Sequence, residues 1–146
     1  MRVVIQRVRE AQVTAEGRQV GRIARGLLIF LAVGRDDTQA GADYLVKKIT
    51  ELRIFEDAQG KMNVSAAQAG AQYLVVSQFT LYGNCDKGRR PSFDQAAAPE
   101  LGEKLYNYFV GQLKAAKAQV ETGQFRAMMD VSLVNDGPVT FIIDSK

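Results

Sequence analysis

The sequence predicts one compact α+β domain with two main helices. Three observations carry that expectation: a first third made of β-branched runs, two segments with apolar residues at three- and four-residue spacing, and strand-like runs at the carboxyl end. Strands that come first and then alternate with helices suit sheet-and-helix packing around a shared core. With 146 residues, 47% of them hydrophobic, the chain can bury one sizeable core, so a single domain over residues 1–146 is expected.

"RVVIQRV", "RQVGRIA" and "GLLIFLAVG" open the chain as strands, punctuated by Glu16-Gly17 and Arg25-Gly26. "LLIFLAV", Leu27 to Val33, lacks the alternation of a half-wet strand and reads as a central strand covered on both faces. In "DDTQAGADYLVKKITELRIF", Asp37 or Thr38 caps a helix whose apolar face is Ala42, Leu45, Val46, Ile49 and Leu52, with Lys47 and Lys48 on the wet side. "EDAQGKMNVSAAQAG" is a polar connection, with Lys61, Met62 and Asn63 in a short turn before a strand. "AQYLVVSQFTLYG" begins as an apolar strand and ends among hydroxyl and amide groups. Pro99 suits the first turn of a second helix, with a stripe of Leu101, Leu105, Tyr108, Phe109 and Leu113. "FRAMMDVSLV" and "VTFIID" close the chain as strands on either side of Asn135-Asp136-Gly137-Pro138. Those four residues are turn formers, so an ordinary hairpin is one reading. The other is that Gly137-Pro138, a bond type where a cis peptide costs little, fixes two carbonyls in an orientation a trans chain does not offer.

The chain has no histidine, which removes Ser-His-Asp and Cys-His catalysis and nearly every usual zinc enzyme arrangement. Its one cysteine, Cys85, allows neither an intramolecular disulfide nor a cysteine-cluster metal site. Proton transfer then falls to carboxylates, hydroxyls, backbone amides or a group on the substrate. A net charge of +3 is compatible with a nucleic-acid partner without requiring one. "LLIFLAV" is the longest apolar run and is too short to cross a bilayer as a helix, so a soluble, cytoplasmic protein is expected.

In "SQFTLYG", Ser77, Gln78 and Thr80 lie at a strand end, where sites are commonly built. Either the strand simply leaves the core there, with Thr80 bonded to backbone, or the Phe79 and Thr80 amides stabilise an oxyanion while Gln78 or Thr80 positions the substrate. Lys87, Arg89 and Arg90 crowd around Gly88 in "DKGRRPSF", either as a solvated turn or as phosphate contacts. Glu56, Asp57, Asp130, Asp136 and Asp144 are too scattered to name a catalytic pair. Met128 and Met129 are expected in the core or lining an adaptable pocket. Tyr106 and Tyr108 flank Asn107 and are given no ligand role.

In this order, "SQFTLYG", "KGRRPSF", "TGQF" and "NDGPVT" resemble the D-aminoacyl-tRNA deacylase family, over essentially the whole chain. Where that family continues TGxFGA, this chain reads "TGQFRAMM", with Arg126 in place of glycine. The resemblance implies a β-barrel-like antiparallel or mixed sheet, a homodimer, no cofactor and no metal. It implies the 3′ end of a D-aminoacyl-tRNA as partner, and neither DNA nor membrane. Ser77, Gln78, Phe79 and Thr80 match its catalytic motif. Gly137 and Pro138 match a cis unit that reaches the other subunit's active site as a chirality filter, with Asn135, Met129 and Phe125 beside it. Lys87, Arg89 and Arg90 would touch the RNA. An L side chain would clash with the filter, whereas glycine would slip through.

Such an enzyme fits the absence of histidine, because an aminoacyl-tRNA is an activated ester that positioned amide donors can cleave without a side-chain base. By the same resemblance the 2′-hydroxyl of the terminal adenosine relays the proton, against the competing possibility of Thr80 as a covalent nucleophile. Two other classes remain: a non-catalytic RNA-binding module built on the basic loop, and a small-ester hydrolase using Thr80. Hydrolysis separates the first from the enzyme, and dependence on tRNA separates the second.

Overall fold

The computed structural model describes residues 1–145. Eight strands and two α-helices follow in the order β1 (Arg2–Ala15), β2 (Arg18–Ile23), β3 (Gly26–Ala32), α1 (Gln39–Glu51), β4 (Phe55–Glu56), β5 (Met62–Val64), β6 (Gln72–Ser77), α2 (Pro99–Ala115), β7 (Gln119–Thr122) and β8 (Met129–Asp144). A 3-10 turn, Phe79–Tyr82, follows β6.

β1 organises the sheet. Along one edge it takes β2 and β3 antiparallel, Ala11 opposite Ile23 and Val8 opposite Gly26, with a bulge in the β2 pairing between Val13 and Thr14. Along its other edge it takes β8, from Arg2 opposite Asp144 to Ala15 opposite Met129. Glu16 and Gly17, both with positive φ, make the tight turn between β1 and β2. β6 then pairs with β3, and β7 with β6, both in parallel. The sheet curls until its ends nearly meet: a Cβ on Gly21 of β2 would lie 2.6 Å from the Thr122 carbonyl oxygen of β7. Only glycine permits that approach, and the result is a mixed, almost closed barrel with two helices.

The uniformly apolar β3 is covered on both faces, as its sequence requires. Leu27, Ile29 and Leu31 join Val3, Ile5, Tyr73 and Val75 under Leu45 and Ile49 of α1 and Leu105 and Phe109 of α2. Leu28 faces the other way, with Val8, Ala11, Val13, Ile23, Leu74 and Val76.

Several expectations need correcting. Thr38 is the N-cap of α1 but makes no side-chain cap bond, and Asp37 instead accepts from the Gly34 N–H at 2.5 Å. In α2 the buried tyrosine is Tyr106, whose hydroxyl donates to Val75 O at 2.9 Å, while Tyr108 is half-exposed and donates to Asp43 of α1 at 3.0 Å. The core selects Tyr106 because β6 offers it a carbonyl that a buried hydroxyl needs. Met128 is 91% exposed, outside any core. The carboxyl-terminal runs are not a hairpin: both lie in β8 and pair with β1 in the same direction.

Candidate active site

The apolar pattern of β6 ends at Val76, and exposure rises through Ser77 and Gln78 to Phe79 and Thr80. The Gln78 N–H donates to Leu31 O at 2.9 Å, which fastens the strand end to β3. From there the chain enters the 3-10 turn, closed by Leu81 N–H donating to Gln78 O at 3.2 Å. The Phe79 and Thr80 amides precede that first bond, so the turn itself does not use them. The Gln78 side-chain amide donates to Thr80 Oγ1 at 2.5 Å. Beneath the turn, Arg2 donates to Leu81 O at 3.3 Å and pairs with Asp144 at 2.7 Å, with its guanidinium 5.5 Å from the Tyr82 ring centroid. Burial, then the Asp37 and Asp144 carboxylates, push the Tyr82 phenol up to about 12, so it stays neutral.

Lys87, Arg89 and Arg90 are exposed in a loop pinched by Asn84 and Ser92, which exchange backbone bonds of 2.8 and 3.0 Å. Asp86 N–H donates to Asn84 Oδ1 at 2.8 Å, and Gly88 takes the positive φ of 72° that the tip needs. Phe93, just past the pinch, packs edge-on against Phe79 with centroids 5.0 Å apart, tying the basic loop to the strand end.

Asn135-Asp136-Gly137-Pro138 forms a bulge in β8. Gln6 pairs with Thr140 and Val8 with Asn135, so Asp136 to Val139 stand out opposite Arg7 alone. The Gly137-Pro138 peptide bond is cis, and both residues are exposed. Asn135 pins the neck of the bulge: its Nδ2 donates to Arg7 O at 3.0 Å and Val139 O at 3.1 Å, and its Oδ1 accepts from Gln6 at 3.3 Å and Thr140 at 3.2 Å. Underneath lies Arg7, only 4% exposed, donating to Ile54 O at 2.7 Å and Asp136 O at 3.3 Å and pairing with the Asp136 carboxylate at 3.2 Å. Glu56 of β4 lies 3.6 Å from the same guanidinium. Gly137 has φ +123°, and a Cβ there would meet Val139 Cγ2 at 2.8 Å and the Arg7 guanidinium at 3.1 Å.

Within one chain the two motifs do not meet. Ser77 is aligned with Leu31 and Val3, whereas the bulge is aligned with Arg7, four residues further along β1, or about 13 Å. Three strand spacings, about 14 Å, also separate β6 from β8 around the sheet. Phe125 is nearer Ser77: its ring lies 5.7 Å from that of Tyr106, and Gly123 just before it donates to Val75 O at 3.0 Å. Met129 opens β8 against the Val8 and Val13 core, where its sulfur accepts from Gln124 N–H at 3.3 Å. Arg126 is exposed and takes a φ of +61°, a conformation that suits the glycine it replaces. The sequence reading missed Arg7, although Arg7 continues the inward alternation of Val3 and Ile5 and so stands at a position where a charge requires partners.

β8 pairs with β1 only, so its outer edge has no partner among the described residues. It also exposes Val134, Phe141 and Ile142, the last to 69%, beside half-buried Val4 and Phe30.

A solved structure titled "c-Myc DNA Unwinding Element Binding Protein" superimposes with a TM-score of 0.94 at 40% identity, covering 100% of this chain and 99% of that one. Another, titled "Structural Analysis of a probable eukaryotic D-amino acid tRNA deacylase", gives a TM-score of 0.87 at 20% identity, with 98% of each chain covered, and shows the fold. Both solved structures share this chain's overall fold. The chain belongs to the D-Tyr-tRNA(Tyr) deacylase family, whose model matches residues 4–144. It is 58% identical over 146 residues to D-aminoacyl-tRNA deacylases of Koribacter versatilis (98% of that protein covered) and Desulfatibacillum aliphaticivorans (100% covered), each match spanning this whole chain.

Proposed function

We propose that this protein is an editing enzyme that hydrolyses the ester of D-aminoacyl-tRNA, releasing the free amino acid and tRNA in the cytoplasm. The observation that carries the proposal is the pair of Phe79 and Thr80 amides left outside the 3-10 turn, in a chain without imidazole. Water adds to the ester carbonyl carbon, the two amides hold the developing oxyanion, and the bond to the 3′-oxygen breaks as that oxygen takes a proton. The 2′-hydroxyl of the terminal adenosine relays the proton from water to the leaving oxygen. Thr80 is a poor covalent nucleophile, since the Gln78 amide donates to its oxygen and no base among the described residues accepts its proton. Ser77 and Gln78 position the strand end, and Phe125 and Met129 lie on the amino-acid side.

Discrimination comes from the bulge. Gly137 and Pro138, held by Asn135, direct carbonyl oxygens at the substrate's α-amino group and exclude an L side chain, while a glycyl ester passes. Because the bulge lies far from Ser77 in its own chain, it acts on the site of a second copy in a homodimer, and the exposed apolar residues of β8 supply surface for that contact. Lys87, Arg89 and Arg90 neutralise phosphates near the RNA 3′ end.

The test is a deacylation time course on one tRNA charged with D-tyrosine or L-tyrosine. Loss of the D ester alone is expected; equal loss of both would remove the filter, and loss of neither would remove the enzyme. In the same assay Thr80→Ala retains appreciable turnover, and its complete inactivity would instead assign a covalent nucleophile.

A further inference from the structure

At the pole opposite Ser77, where β6 and β7 begin and both helices end, the surface opens into a cleft of about 830 Å³, within the size range of small-molecule sites. Its walls are small, formed by Ala67, Gly70, Ala71, Ala116 and Ala118. Among the lining residues is Tyr73, only 2% exposed as a whole; no buried side-chain polar atom among the described residues lacks a partner, so its hydroxyl, which bonds to no protein group, reaches solvent at the cleft and is free to donate there. Burial holds its pKa up at about 12, so at neutral pH it remains a donor.

The polar groups around that hydroxyl are biased the same way. Gln68 Oε1 accepts from the Ser65 N–H and Gln119 Oε1 from the Gln72 side chain, each at 2.9 Å, which leaves both side-chain NH2 groups as donors. Lys117, in a left-handed conformation with φ +59°, and Arg53 add positive charge, and neither enters an ion pair among the described residues. The acid in the lining is Glu51, at the end of α1.

We propose that this cleft binds a small molecule with an oxyanion group, carboxylate or phosphate, on a compact apolar body. The oxyanion takes the Tyr73 hydroxyl, the Gln68 and Gln119 amides and Lys117, while the body lies along the alanine walls. Sodium benzoate and inorganic phosphate are the probes, titrated separately into the isotope-labelled full chain by NMR. Saturable shifts of the Gln68 and Gln119 side-chain amides and of the Gly70 amide are expected, with affinity lowered about tenfold by Tyr73→Phe and by Lys117→Gln. Saturation by one probe alone supports the cleft and identifies its oxyanion. No saturable shift with either probe, or equal affinity in the wild type and both variants, overturns it.

Discussion

Asn135 is the residue on which the bulge depends most directly. Its amide nitrogen faces two carbonyls, Arg7 O and Val139 O, so the identity of the donor matters more than the size of the side chain. Asn135→Asp sets an oxygen against those carbonyls and should lower stability by about 2–3 kcal/mol in urea unfolding, while Asn135→Ala should cost less. The interruption at Asn135, Gly137 and Pro138 was legible in the sequence, because turn residues between two strand runs require an explanation whatever the fold. Arg7 was not, because its partners Asp136 and Ile54 come from distant parts of the chain, and nothing local to "QRVRE" says which arginine turns inward.

At the level of elements, the contact between the start of β1 and the end of β8 responds to pH. The hydrogen bond from Arg2, and then its charge, hold the Asp144 carboxyl below its ordinary value of 3.8. A carboxyl depressed by folding contributes stability above that ordinary value, and the contribution fades as pH falls through the lower, folded value. Both side chains are partly in water, so the contribution is under about 1 kcal/mol. Asp144→Asn should therefore cost that much at pH 7 and nothing at a pH below both values, as read from urea midpoints across an acid series. The helices were legible from their spacing, and β3 from its lack of alternation. The choice between Tyr106 and Tyr108 was not, because both pack against the core to some extent and only the Val75 carbonyl decides which of them is buried. The hairpin expected around Gly137 failed for a related reason: turn residues also build bulges, and only the register with β1 distinguishes the two.

For the whole molecule, the strand end and the basic loop are one unit, joined through Phe79 and Phe93. If that unit meets RNA, Arg89→Ala with Arg90→Ala should weaken aminoacyl-tRNA binding and reduce its logarithmic salt slope by about 1.5 to 2, measured by filter binding at several salt concentrations. An unchanged slope would place both arginines outside the RNA contact. The one-domain α+β architecture was legible from composition and pattern, and the barrel from the family resemblance. How far the two motifs lie from each other was not, since separation in sequence says nothing of separation around a curled sheet. The placement of β8 along the full length of β1 also bears on how the protein is made. β1 is synthesised well before β8, so one edge of the organising strand stays bare while all the intervening chain is made. Local pairing with β2 and β3 can form early, but the β1·β8 pairing that completes the barrel waits for β8, and until then the free edge of β1 is open to pairing with other chains.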